Sequence, residues 1–100
     1  MTRGNFVVTN IPMTVTFDPA KNAKNIAERG LPFDMVDDID WNEAVIIEDT
    51  RKDYCERRFR VFSDIDGRLY AAVITPRNGV PHVISLRKAN AREVKEHGKS

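Results

Sequence analysis

The sequence predicts an α+β domain, a small antiparallel sheet with two helices before it and a short helix after. Three observations carry this. Apolar residues from position 44 onward alternate or run in strand-length stretches. Asp66-Gly67 and Asn78-Gly79 are strong two-residue hairpin turns between those stretches. Helix start and stop residues bracket 18–30 and 90–98. At 100 residues, 41% apolar and 31% charged, the chain fits one domain.

Residues 1–12 read as an irregular extension, because Asn5, Asn10 and Pro12 interrupt any pattern; the domain proper is 13–100. Met13–Phe17 alternates, placing Met13, Val15 and Phe17 on one side of a strand. Asp18 is a favoured N-cap, Pro19 suits the first helical turn and Gly30 stops the helix. Its expected buried stripe is Ala20, Ala23 and Ile26-Ala27. A second short helix is expected over Pro32–Asp40, with Phe33, Val36 and Ile39 inward and the acidic Asp37-Asp38 on its solvated face.

Ala44–Glu48 is a strand, followed by a polar loop through Glu56 and by strand Arg57–Ser63. Leu69–Thr75 is apolar on both faces and should lie centrally under helical cover. His82–Arg87 returns from the second hairpin. Strict alternation puts Arg58, Arg60 and Phe62 on one face of their strand, and Val83, Ser85 and Arg87 on one face of theirs. Asn90-Ala91-Arg92-Glu93 has the pattern of a capping box, opening a helix that Gly98 ends.

The longest apolar stretch, Leu69–Ile74, is far short of the ~20 residues that span a bilayer. Phe6-Val7-Val8 is too short for the apolar region of a secretory signal. One cysteine, Cys55, allows no internal disulfide. The histidines at 82 and 97 do not combine with it into a zinc site, so neither metal nor cofactor is expected. A cytoplasmic location without membrane contact is the expectation from these features.

The net charge of +1 hides an asymmetry: residues 1–50 carry 4 basic and 9 acidic side chains, residues 51–100 carry 12 and 6. Arginine supplies most of the surplus. Its planar, permanently charged fork is suited to phosphate. No phosphate-cradling glycine loop, Ser-His-Asp order or HExxH helix is present. Arginines beside histidine, tyrosine and carboxylates could cleave RNA without a metal, since RNA supplies its own 2′-hydroxyl nucleophile. The protein then has to move a proton and neutralise developing phosphate charge.

Several blocks look familiar. Phe17-Asp18-Pro19-Ala20-Lys21-Asn22, Arg29-Gly30 and Glu48-Asp49-Thr50-Arg51-Lys52-Asp53-Tyr54 come in order. Glu56-x-Arg58-Phe59, Gly67-Arg68-Leu69, Thr75-Pro76-Arg77, Val83 through Asn90, and Arg92-Glu93 follow. From about Val15 to the C-terminus this set resembles the BrnT family. The resemblance implies a RelE-like fold and a ribonuclease toxin of a type II toxin–antitoxin system. It also implies a BrnA-like ribbon-helix-helix antitoxin, expected as two toxins with two antitoxins, and DNA contact only through that antitoxin. Arg58, Arg77 and Arg87 are nominated to grip phosphate, and Glu56 and His97 to transfer protons. Lys88, Arg92 and Arg60 are expected to contact RNA.

Other readings stay open at this point. Arg58 and Arg87 could be structural ion pairs with Glu56 or Asp49, and Arg77 and Arg92 could simply face water. The chain could also be a non-catalytic interaction module that binds its antitoxin within a DNA-binding repressor complex. It departs from the family pattern in three places. Glu28-Arg29-Gly30 stands where Lys-His-Gly is frequent, Tyr54-Cys55-Glu56 where Tyr-Gly-Glu is, and His97 where a tyrosine is common.

Overall fold

The computed structural model describes residues 15–51 and 55–98, so the expected extension 1–12 lies outside the described residues. In order come β1 (Thr16–Phe17), α1 (Pro19–Arg29), a 3-10 helix (Phe33–Asp38), β2 (Val45–Glu48), β3 (Phe59–Ile65), β4 (Arg68–Arg77), β5 (Val80–Lys88) and α2 (Ala91–His97). They build one five-stranded sheet in the order β1-β5-β4-β3-β2. β4 is the middle strand, as its two apolar faces require.

The sheet is mixed rather than antiparallel. β2 through β5 pair antiparallel, but β1 runs parallel to β5, with Thr16 opposite His82 and Phe17 opposite Val83. A parallel pair needs a long connection, and here everything from α1 to β4 supplies it. The hairpins turn where expected: Asp66 and Gly67 have φ of 51° and 84°, Asn78 and Gly79 54° and 76°. Positive φ at both central residues matches the twist of the flanking strands.

α1 starts and stops as the sequence predicts. The Asp18 carboxylate accepts from Ala20 N at 2.9 Å, and Gly30 adopts φ 71°. Its facing is different. Ala20, Ala23, Ile26 and Ala27 are all exposed, and the buried residue is Asn25. Asn25 Nδ2 donates to the carbonyls of Leu31 (2.8 Å) and Leu86 (3.0 Å), while Arg29 Nη1 donates to Leu86 O (3.2 Å). The reason is β5's outer edge. β1 is too short to cover it beyond Val83, so the Leu86 carbonyl needs donors from the helix laid beside it. Asn22 does similar work, accepting from Phe33 N at 2.8 Å where the chain reverses.

Apolar closure of this face falls to the segment after α1. Leu31, Phe33, Val36, Ile39 and Trp41 bury against Phe59, Val61, Ile65, Ala72, Ile74, Val83 and Leu86. The expected second helix is of 3-10 type, whose three residues per turn bring Phe33 and Val36 onto one line with Ile39 just beyond. Asp37 does not merely face water, since its Oδ1 accepts from Val15 N at 2.9 Å.

β5 carries one irregularity in its pairing with β4. Val73 pairs with Ser85 but Ile74 pairs with Val83, so Ile84 is an extra residue, a β-bulge. Val83 and Leu86 both enter the helix-side core, whereas Arg87 pairs with Ala71 on the opposite face. The expectation that Val83, Ser85 and Arg87 share a face therefore fails. The bulge brings His82, not Val83, to the side of Arg87.

Candidate functional site

The sheet face turned away from α1 carries the basic side chains. Pairing defines its rows: Phe62 with Ala71 and Arg87, Arg60 with Val73 and Ser85, and Thr75 with His82. Arg58 precedes β3 in phase with Arg60, and Arg77 ends β4 in phase with Thr75. The charged groups fall into two constellations along this face.

At the open end, one carboxylate stands between two guanidinium groups. Glu56 Oε2 lies 3.6 Å from Arg58 Nη2, and Oε1 lies 3.5 Å from Arg77 Nη2. These are long contacts on partly exposed side chains, and Arg77 is half exposed. Thr75 beneath them is buried, its hydroxyl donating to Arg57 O at 2.6 Å, which fixes the turn into β3. His82 stands beside Thr75, and its Nδ1 is 2.8 Å from Thr16 Oγ1. Burial is the main force holding the His82 pKa below 6.5, and the Arg77 charge adds to it. Glu56 and Asp18 pull the other way without reversing the shift. The balance favours the neutral ring.

α2 closes the other end. Its N-terminus is a full capping box, with Asn90 accepting from Glu93 N and the Glu93 carboxylate accepting from Asn90 N, both at 2.9 Å. The same carboxylate receives Arg87 in a two-point fork, Nη1 at 2.7 Å and Nη2 at 2.8 Å. Hydrogen bonding from Arg87, helped by the Asn90 backbone, brings the Glu93 pKa down to about 2. His97 stacks on Phe62, ring centroids 4.3 Å apart, and Arg60 lies over the same phenyl ring at 5.9 Å. Together with Arg92 they line a shallow groove of about 390 Å³.

The sequence-nominated residues are thus divided. Glu56, Arg58 and Arg77 come together. Arg87 does not join them: its row is four residues along β4 from Thr75 and six from Arg77, about 13 and 20 Å at ~3.3 Å per residue. Its ion pair is with Glu93, neither Glu56 nor Asp49. His97 sits above Phe62 in that same distant row. Arg60 and Arg92 edge the groove. Lys88 is exposed and pairs with Tyr70, which packs on the helix-side core.

Four residues beside these constellations were not nominated from the sequence. Buried Asp49 accepts a fork from Arg51, Nε and Nη2 both at 2.8 Å, and the Arg51 charge is felt at Arg87. Thr16 is placed by the parallel pair. Strict alternation places His82 on the face opposite Arg87, and the bulge reverses that.

A family model described as the ribonuclease toxin BrnT of type II toxin–antitoxin systems matches residues 17–93. The chain belongs to the BrnT family. Comparison with individually curated proteins gives no match. BrnT membership makes this a ribonuclease toxin of a toxin–antitoxin pair, and so implies an antitoxin partner. The matched range holds Glu56, Arg58, Arg77, His82, Arg87 and Glu93 and stops before His97. Among the described residues no helix is long and apolar enough to cross a membrane.

Proposed function

We propose that this BrnT toxin is an endoribonuclease whose reacting phosphate sits at the open end, between Arg58 and Arg77. The observation that carries this is the Glu56 carboxylate held loosely between two guanidinium groups. A phosphodiester presents the same kind of acceptor oxygens, so each guanidinium can exchange its long contact to Glu56 for one to phosphate. The reaction is attack of the 2′-oxygen on the adjacent phosphorus, with loss of the 5′-oxygen, giving a 2′,3′-cyclic phosphate and a 5′-hydroxyl. The arginines stabilise the charge that grows on the non-bridging oxygens. Glu56 orients them and, with His82, is within the group that can take a proton. No metal is needed, since guanidinium groups supply the positive charge.

The partner in this reading is a BrnA-like ribbon-helix-helix antitoxin acting in the cytoplasm. It lays acidic and apolar side chains over Arg58 and Arg77, two toxins with two antitoxins about a two-fold axis, and reaches DNA through the antitoxin alone. The RelE-like likeness belongs to the same reading.

Incubation of the purified toxin with single-stranded RNA, with and without chelator, tests the chemistry. Cyclic or 3′-phosphate ends are expected in both, with binding that weakens as salt rises. Activity lost to chelator and restored by a divalent ion would overturn metal independence. An absence of cleavage with intact antitoxin binding would favour the interaction module. Calorimetry tests the docking: Arg77→Glu should weaken the antitoxin complex by about 2–5 kcal/mol, far more than Asp37→Lys on the 3-10 helix.

A further inference from the structure

We propose that His82 is the catalytic base, taking the 2′-hydroxyl proton on Nε2, and that Thr16 is the residue that positions its ring. This rests on RNA cleavage at the open end and adds to it the identity of the proton acceptor.

Geometry singles out His82. The bulge at Ile84 places it on the Arg58 and Arg77 face, paired with Thr75. The two-residue strand β1 sets Thr16 directly opposite it, Oγ1 2.8 Å from Nδ1. Nε2 has no hydrogen-bond partner among the described residues, and in the tautomer this role requires, Nδ1–H donates to the threonine hydroxyl and leaves the lone pair on Nε2. Glu56, the other candidate, has each oxygen facing a guanidinium group. His97 is stacked on Phe62 in the far row.

The charged groups around the ring are Arg77 on β4, Glu56 in the loop before β3, and Asp18 and Lys21 at the start of α1. Burial, Arg77 and Lys21 favour the neutral ring, which is the form a base must start from; Glu56 and Asp18 favour the imidazolium that it becomes. In the step itself the 2′-O–H bond breaks and its proton goes to Nε2. The 2′-oxygen forms the new bond to phosphorus, the P–O5′ bond breaks, and the leaving oxygen takes a proton from water. The imidazolium then returns its proton to solvent.

The experiment is the pH dependence of kcat on a short single-stranded RNA for wild type, His82→Gln, Thr16→Val and Thr16→Ser. Wild type should show an acid limb below pH 6.5. His82→Gln should lose about 100-fold or more in kcat with KM little changed, and lose that limb. Thr16→Val should move the limb and lower kcat, and Thr16→Ser should restore both, which a purely structural threonine would not do. A His82→Gln enzyme that keeps more than a tenth of kcat and its acid limb overturns the inference while leaving RNA cleavage standing. If the glutamine variant misfolds, the wild-type and Thr16 profiles decide: a flat profile below pH 6.5, or a limb that Thr16→Val leaves in place, overturns it. A wild-type toxin that cleaves no RNA overturns both readings.

Discussion

One sheet face holds two glutamates, each paired with arginine, and the two ends treat the pair oppositely. Glu93 is saturated: both oxygens take short bonds from a single Arg87 fork, and one also caps α2. Glu56 is divided, one long contact to each of two arginines that come from different segments. A planar fork closed on a carboxylate in two short bonds is an assembled structural joint. A carboxylate shared at 3.5 and 3.6 Å is the more loosely held of the two. Residue types alone do not separate the two ends; the bond geometry does.

The largest effect that could break this comparison is at Arg77. Arg77→Ala should lower RNA cleavage about 10²- to 10³-fold, the usual loss of one charge-stabilising donor. Its long, half-exposed pair contributes little to folding, so Tm should fall by less than about 4 °C. A larger drop with cleavage retained would make the open end a joint as well.

Arg87→Ala should act on stability first. It removes two charge-assisted bonds and strands Glu93 against the sheet, costing about 1.5–3 kcal/mol by urea unfolding. If that variant is as stable as wild type, α2 is held by His97 on Phe62 rather than by the fork.

Acid titration sharpens the contrast. The Glu93 pKa is lowered on folding, so its contribution is fully present above pH 4.5 and is lost as pH falls toward about 2. Glu93→Gln should flatten the stability curve in that window. The lowered His82 pKa likewise makes stability fall with pH, but starting just below 6.5. His82→Gln should remove only that upper step, as chemical denaturation across pH would register.

The smallest effect lies in the loop that carries Glu56. Cys55 has φ 63°, a left-handed conformation that costs a side-chain-bearing residue about 1–2 kcal/mol. Cys55→Gly relieves that cost but loosens the unfolded chain, so a net gain of about 0.5–1 kcal/mol is expected. Unchanged or reduced stability on urea unfolding would show that the cysteine side chain anchors the loop.

Much of the fold was legible because its signals are local. Asp66-Gly67 and Asn78-Gly79 specify their turns through φ alone, Asp18-Pro19 and Gly30 bound α1, and Asn90 with Glu93 spells the capping box that forms. What escaped depends on neighbours distant in sequence. α1 faces inward with Asn25 because Leu86, 61 residues away, has a carbonyl that needs a donor. β1 likewise depends on a distant partner, the free edge of β5, along which it runs parallel. Glu56, Arg58 and Arg77 stand in the family blocks, and the turn into β3 brings them together. Arg87 took Glu93 as its partner because the capping carboxylate arrives pre-oriented six residues on.

The bulge at Ile84 has a consequence best put as parity. In an uninterrupted strand, residues five apart point to opposite sides, so His82 and Arg87 would be separated by the whole thickness of the sheet. One inserted residue turns that odd spacing into an even one. β5 can thus seal the core with Val83 and Leu86 and still deliver the His82 imidazole to the arginine side. Removing Ile84 would shorten the chain by one residue yet force either the ring or the guanidinium through to the wrong side. Length at that point decides which side chains share a face as much as residue identity does.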